Sequence, residues 1–323
     1  MREAGRAARV LMRQTLDGNR RALAQLISLV ESNPSSAAEL TAELHARGGR
    51  AAIVGVTGAP GTGKSTLVNE LCKSFRRDGC RVGVIAVDPS SPFSGGALLG
   101  DRIRMRDLAG DDGVFIRSMA TRGNLGGLAR ATADAVRVLD AAGFEMVVIE
   151  TVGVGQGELE IARRADTVLV VEAPGLGDEV QAMKAGILEI ADILVVNKAD
   201  REGADDTVRA LRAMVNLGSP LAGDRTDAWR APVLKTVAVK GTGVADVAES
   251  IARHRGYLER SGTGTTRRRL RAADELETIL RDLLLERGMQ RISRVELDTL
   301  VERVAAREID PYAAACRLLG API

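Results

Sequence analysis

Two hydrophobic rhythms alternate along this chain. Short continuous apolar runs at 51–57, 82–87, 114–116, 146–149, 167–171, 193–196 and 232–237 have the length and makeup of strands buried on both faces. Between most of them, apolar residues recur at intervals of three and four: 65–77, 129–142, 179–189, 205–216 and 244–258. That is the period of an amphipathic helix. Strand and helix in alternation predict a doubly wound, mostly parallel sheet of the α/β class. Such sheets bind ligands beyond the carboxyl ends of their strands.

The flanks carry the helical rhythm alone. Leu23, Leu26, Ile27 and Val30 share one face, Asn33-Pro34-Ser35-Ser36 breaks the run, and a second short helix passes through Leu40 and Leu44 to Gly48-Gly49. The first 21 residues are rich in Arg and poor in acids. They lack the Ser enrichment of a transit segment, so a surface helix is expected. Ser261 to Thr266 reads as a flexible linker of Ser, Thr and Gly. Beyond it, Leu276, Ile279, Leu280, Leu283 and Leu284 form a wide apolar stripe, continued by Val295, Leu297, Leu300 and Val304. Asp310-Pro311 is an N-cap with Pro at the first helical position. The expected organisation is therefore an N-terminal helical extension (1–50), an α/β domain (51–259) and a linker with a helical arm (260–323). An apolar arm packs on its own domain or on a second copy, and a homodimer is the favoured reading.

Composition narrows the function. The 323 residues are 45% hydrophobic, with one Trp, two Tyr and four Phe, so the core is aliphatic and stacking platforms for nucleic-acid bases are scarce. Basic and acidic residues number 45 and 43, a net charge of +2, which argues against nucleic acid or a membrane surface as partner. No apolar run approaches the ~20 residues of a transmembrane helix. Cys72, Cys80 and Cys316 form no paired pattern, as in a reduced cytoplasmic protein. His45 and His254 lie far apart, which argues against a Cys/His metal cage. Glu43-Leu-His45-Ala-Arg-Gly48 nearly matches a cobalamin-ligating motif, but its acid is wrong and its surrounding domain is missing.

The chemistry gathers at predicted strand ends. Gly58, Ala59, Pro60, Gly61, Thr62, Gly63, Lys64 and Ser65, followed by Thr66, match the P-loop between a strand and a helix. Its glycines let backbone N–H groups turn inward around phosphate oxygens, and the helix N-terminus adds a field that favours anions. Lys64 would reach the β- and γ-phosphates, and Ser65 Oγ would ligate Mg²⁺. Only six residues are Lys against 39 Arg, so a Lys here looks selected for its compact charge. Asn197-Lys198-Ala199-Asp200 ends a later strand, where a carboxylate can accept from N1–H and the exocyclic amine of guanine. Adenine offers neither donor there and leaves the charge unpaired. Val237, Ala238 and Val239 follow the last strand, and the Ala238 N–H would serve guanine O6. Lys240 and the glycines after it could supply a remaining contact. The expected cofactors are thus GTP/GDP and Mg²⁺.

Asp88 and Glu150 end two strands beside the P-loop, where carboxylates hold Mg²⁺, often through water, or cap the next loop. Glu150-Thr-Val-Gly153 reads as a γ-phosphate sensor with the Gly153 N–H facing the phosphate. Asp101 could approach the metal or the attacking water, or serve as a helix N-cap. Val154 takes the place that many small GTPases give to a catalytic Gln, and Gln156 comes three residues after Gly153. Slow intrinsic hydrolysis that a partner accelerates is the expectation. Asp178, Gln181 and Lys184 lie on a helical pattern, where Lys184 by residue type alone is equally a solvated lysine.

Long strings then carry a family resemblance: GVTGAPGTGKST, AVDPSSPFSGGALLGDRIRM, the Gly123–Gly127 loop, ETVGVGQ, GDEVQAMKAG and NKAD. With the flanking helices, the chain resembles the MeaB/ArgK (MMAA-like) family of P-loop GTPases over nearly its whole length. The resemblance implies a homodimeric GTP-binding chaperone of an adenosylcobalamin-dependent acyl-CoA mutase, gating the loading of intact cofactor and the removal of damaged cofactor. It implies Mg²⁺ and hydrolysis roles for Asp88, Asp101 and Glu150, and a partner-sensing switch at Asp178, Gln181 and Lys184. It also implies dimer contacts by the C-terminal helices. Many members read STRTGGSILGDKTRM where this chain has 91–105, and Gln-Ser-Glu where it has Gln156-Gly157-Glu158. Both changes fall in partner-facing switches. They leave open methylmalonyl-CoA mutase, the default client, against a 2-hydroxyisobutyryl- or isobutyryl-CoA mutase. A GTPase metallochaperone and a transport-system kinase are the competing classes.

Overall fold

In the computed structural model, described for residues 2–32, 34–88, 105–108, 110–120, 125–151, 164–175, 187–217 and 228–320, seven strands form one all-parallel sheet. They are β1 (Ala52–Thr57), β2 (Val82–Asp88), β3 (Val114–Ala120), β4 (Met146–Thr151), β5 (Thr167–Glu172), β6 (Ile193–Val196) and β7 (Val233–Lys235), in the order β3-β2-β4-β1-β5-β6-β7. The continuous apolar runs follow from cover on both faces. In β4, Met146 and Val148 join the cluster on one side, while Val147 and Ile149 join the cluster on the other. Val54 of β1 aligns with Val148 of β4 and Thr167 of β5, which places β1 in mid-sheet.

One face packs on α4 (Lys64–Arg77) and α8 (Val244–Ser261) through Leu67, Leu71, Val247 and Ile251. The other face is covered twice. Near β5 and β6 it meets Val208 and Leu211 of α7 (Ala204–Leu217). Near β2 and β4 it meets α5 (Leu125–Ala141), on which α2 (Arg20–Ser32) and α3 (Pro34–Arg47) are stacked, with α1 (Arg2–Leu16) packed on those two. Of the 179–189 helical pattern, the described part is α6 (Ile187–Ile190).

Three expectations are corrected here. The first 21 residues do not form a lone surface helix. They contain α1 and the start of α2, and Ala8 and Met12 are fully or almost fully buried in the cluster that holds Leu26, Ile27, Leu139 and Val147. The apolar side of α1 packs on α2 and α3, so the segment is part of the domain. Second, Ser261–Thr266 is not an extended linker: Ser261 closes α8, Gly262 turns with φ 71°, and α9 (Thr263–Arg291) begins at once. A single glycine able to take the left-handed conformation is sufficient to join two helices. Third, the last strand is only Val233–Lys235, because a 3₁₀ turn (Ala238–Lys240) follows closely.

The chain divides into two compact units, 1–265 and 266–323. The second holds most of α9, with α10 (Arg294–Ala305) and α11 (Pro311–Leu319). Ser293 caps α10 by accepting from the Glu296 N–H, and Asp310 caps α11 by accepting from the N–H groups of Tyr312 and Ala313. Among the described residues, no helix is long and apolar enough to cross a membrane.

Leu26→Ala, which empties a site in the layer over α5, is expected to lower unfolding free energy by about 2–5 kcal/mol. Urea titration followed by circular dichroism measures it. A loss near zero would make α1–α3 a detachable appendage.

Candidate nucleotide-binding site

The loop from β1 to α4 is shaped by glycine where no other residue fits. Gly58 has φ 137°, and a Cβ there would lie 2.0 Å from the Val171 carbonyl oxygen. Gly63 has φ 91°, and its Cβ would lie 2.4 Å from Asn197 Nδ2. Gly63 also occupies the N-cap of α4 without any side-chain cap, so the first amides of the helix are left for an anion. Lys64 and Ser65 are buried at the base of the loop. Lys64 Nζ donates to the carbonyls of Gly58 (2.7 Å) and Ala59 (3.0 Å), and Thr62 Oγ1 donates to the Ala59 carbonyl (2.9 Å). The lysine side chain therefore reaches back to the start of the loop.

Asn197 ties this loop to two other strand ends. Its Nδ2 donates to the Thr62 carbonyl at 2.8 Å. Its Oδ1 accepts from Thr236 Oγ1 and from the Ala238 N–H, both at 3.0 Å. Its backbone N–H donates to the Glu172 carbonyl at 2.8 Å. The carboxamide is 2% exposed, so its work is internal. The Ala238 N–H, expected to serve guanine O6, donates here to Asn197. Lys198 takes φ 56°, a left-handed conformation that is strained for a residue with a side chain. Its Nζ donates to the Gly61 carbonyl (2.6 Å), and its own carbonyl accepts from the Arg201 N–H. Its stem therefore lies beside the loop. Asp200 stands at the surface in an ion pair with Lys240 at 3.2 Å. Val239 is 78% exposed on the same rim.

On the other side of the loop, Ser65 Oγ donates to Glu150 Oε1 at 2.5 Å. Both groups are buried, and both are hard oxygen donors, the ligand type that Mg²⁺ takes. They fit the ion, Ser65 as a direct ligand and Glu150 beside it. Asp88 closes β2, paired in register with Ala120. Its side chain, and Asp101, Gly153, Gln156, Asp178, Gln181 and Lys184, lie outside the described residues. Thr151 Oγ1 donates to Thr57 Oγ1 at 3.1 Å and joins the ends of β4 and β1.

Sequence reasoning missed a relay along α4. Ser65, Asn69 and Lys73 share one helical face, spaced by four. Asn69 Nδ2 donates to Asp107 Oδ2 (3.2 Å), and Lys73 pairs with both Asp107 and Glu70. The hydrogen bond from Lys73 holds the Asp107 carboxyl below its ordinary range. The polar i, i+4, i+8 series on an otherwise buried helix was the available signal. Behind it, burial first and the Glu150 charge second push the Cys72 thiol up to about 12.

The chain matches the model of a family described as "Methylmalonyl Co-A mutase-associated GTPase MeaB" over residues 23–293. A protein of Pyrococcus abyssi that bears the name of a GTPase is 50% identical over 309 residues, 96% of this chain and 95% of its own. A mouse protein named methylmalonic aciduria type A homolog, mitochondrial, is 34% identical over 321 residues, 94% of this chain and 77% of its own. Among solved structures, that of a LAO/AO transport system kinase is similar with a TM-score of 0.69 at 28% identity, covering 96% of each chain.

Two outcomes follow from this geometry. Asn197→Ala strands the Thr62 carbonyl and the Ala238 N–H, each at about 1–3 kcal/mol. It is expected to lower the melting temperature and to weaken GDP and GTP binding at least tenfold, by thermal scan and calorimetry. Unchanged binding would show that the tie is dispensable. Cys72, protonated and buried, is expected to resist iodoacetamide at pH 8 in the folded protein and to react after unfolding, by mass spectrometry.

Proposed function

The chain belongs to the MeaB family of GTPases and hydrolyses GTP, and from that premise we propose that it is a G-protein chaperone of an adenosylcobalamin-dependent acyl-CoA mutase. The carrying observation is the match over 23–293 to a family described by its association with methylmalonyl-CoA mutase. The mouse relative's name supports the same metabolic setting. Methylmalonyl-CoA mutase is the default client, and the switch-region differences leave open a close relative such as 2-hydroxyisobutyryl-CoA mutase. In this reading the protein is cytoplasmic, and nucleotide state gates loading, protection or reactivation of the mutase cofactor.

Residues 58–66 wrap the phosphates, Lys64 meets the β- and γ-phosphates, and Asp200 accepts from the guanine edge. Asn197 and Lys198 hold the two sides of the pocket together. Ser65, Glu150, Asp88 and Asp101 would hold Mg²⁺, which when bound neutralises phosphate charge. Gly153, by its place in the Glu150–Gly153 motif, is assigned to γ-phosphate sensing, and Gln156 to the attacking water. With Val154 directly after Gly153, turnover is slow until the client completes the site. Asp178, Gln181 and Lys184 sense that client.

We also propose a homodimer through the C-terminal arm. No residue of α9 is buried, and Leu276, Leu280, Leu283 and Leu284 are exposed along it. A stripe of that size left in water favours a partner surface.

The test is GTP and ATP hydrolysis by the purified protein, alone and with a panel of acyl-CoA mutases. Slow GTP turnover that one mutase accelerates is expected, with Lys64→Ala abolishing binding or turnover. Lys184→Ala is expected to keep basal turnover and blunt the acceleration. GTP turnover that no mutase accelerates would remove the chaperone reading. Sedimentation velocity is expected to give a dimer that Leu276→Asp with Leu283→Asp dissociates, and a monomeric wild type would remove the arm's role.

A further inference from the structure

We propose that Lys240 is a positioning residue that orients the Asp200 carboxylate for two-point reading of guanine. This rests on the assignment of Asp200 to the base. Lys240 Nζ lies 3.2 Å from Asp200 Oδ2, with side-chain exposures of 64% and 44%. An exposed pair of two flexible side chains is ordinarily worth little. Here both backbones are held in place. The Ala199 N–H donates to the Thr236 carbonyl and the Arg201 N–H to the Lys198 carbonyl, each at 3.0 Å, which fixes the turn that carries Asp200. Lys240 ends the 3₁₀ turn. Its N–H donates to the Val237 carbonyl (2.9 Å), and the Val237 N–H donates to the Thr242 carbonyl (3.0 Å). The same Asn197 that anchors the P-loop accepts from the Ala238 N–H at the start of that turn. Both ends of the pair are therefore referenced to the nucleotide loop.

The terminal torsion of Asp is broad, so a lone surface carboxylate turns easily. Guanine asks for both oxygens at once, one facing N1–H and one facing the exocyclic amine. Each oxygen has two lone pairs, so Oδ2 can keep the ammonium and still accept from the base. Lys240 thus holds the plane of the carboxylate without occupying its reading edge. A base that offers only N1–H has less need of that plane.

The measurement is KM and kcat for GTP and ITP, which lacks the exocyclic amine, with wild type, Lys240→Ala, Lys240→Arg, Asp200→Asn and the double variant Asp200→Asn with Lys240→Ala. The expected result is a rise of about fivefold in KM for GTP with Lys240→Ala, the top of the range for exposed pairs. Little change is expected in kcat or in KM for ITP, so the preference for GTP over ITP narrows. Lys240→Arg restores it, raised salt shrinks the difference, and the double variant is no worse than Asp200→Asn. If Asp200→Asn shifts base preference while Lys240→Ala leaves both KM values as in wild type, Lys240 is a bystander and the proposal falls. If KM for GTP and ITP rise equally in Lys240→Ala, the lysine acts by bulk charge and the positioning role is overturned. If Asp200→Asn leaves GTP preference unchanged, the base-reading assignment itself fails, and the role of Lys240 with it.

Discussion

The nucleotide site depends on one buried carboxamide. Asn197 donates to the P-loop at Thr62 and accepts from Thr236 and Ala238. Three chain segments remote in sequence thereby share one reference point. The geometry asks for a group that donates from one atom and accepts at another, which Asp, Leu and Lys cannot do. Gly63 must be bare to let that amide approach. The P-loop and the Asn197–Asp200 turn are then tied by the same few hydrogen bonds, in a low-dielectric setting where each counts for more than at the surface.

The sheet beneath explains how such a site stays rigid. Every described strand is parallel, and the central ones are apolar on both faces. The strand ends therefore cannot shift without exposing core. The N-terminal helices add to this by covering α5, whose own inner residues cover β2 and β4. The region that looks like an add-on in the chain is a third layer over half the sheet. Asp140 illustrates the stitching. On α5, it accepts from the N–H groups of Gly49, Arg50 and Ala51, which fixes the entry from α3 into β1.

Polar residues in the lower half of the sheet obey the same logic. His254 is fully buried, with Nδ1 2.8 Å from Thr167 Oγ1 and Nε2 3.3 Å from Asp192 Oδ1, and Trp229 donates to the Asp192 carbonyl. Composition argued only that His254 was no metal ligand. Its part in joining α8 to the starts of β5 and β6 required contacts between residues far apart in the chain.

Local pattern therefore carried the strands, most helices, the P-loop and the Asn197–Asp200 turn. Hydrophobic period, glycine placement and short motifs depend on neighbours a few residues away, and those neighbours are written in order along the chain. The same locality explains the misreadings. Ser261–Thr266 has linker composition, yet it carries the end of α8 and the first turn of α9, with Gly262 alone between them. The Asn197 tie, the Asn69–Asp107–Lys73 relay and the Lys240–Asp200 pair are long-range hydrogen bonds and ion pairs. They exist only once the parallel crossovers bring the carboxyl ends of the strands to one edge, because a polar group chooses its partner by distance in space, and the chain's order does not encode that distance directly.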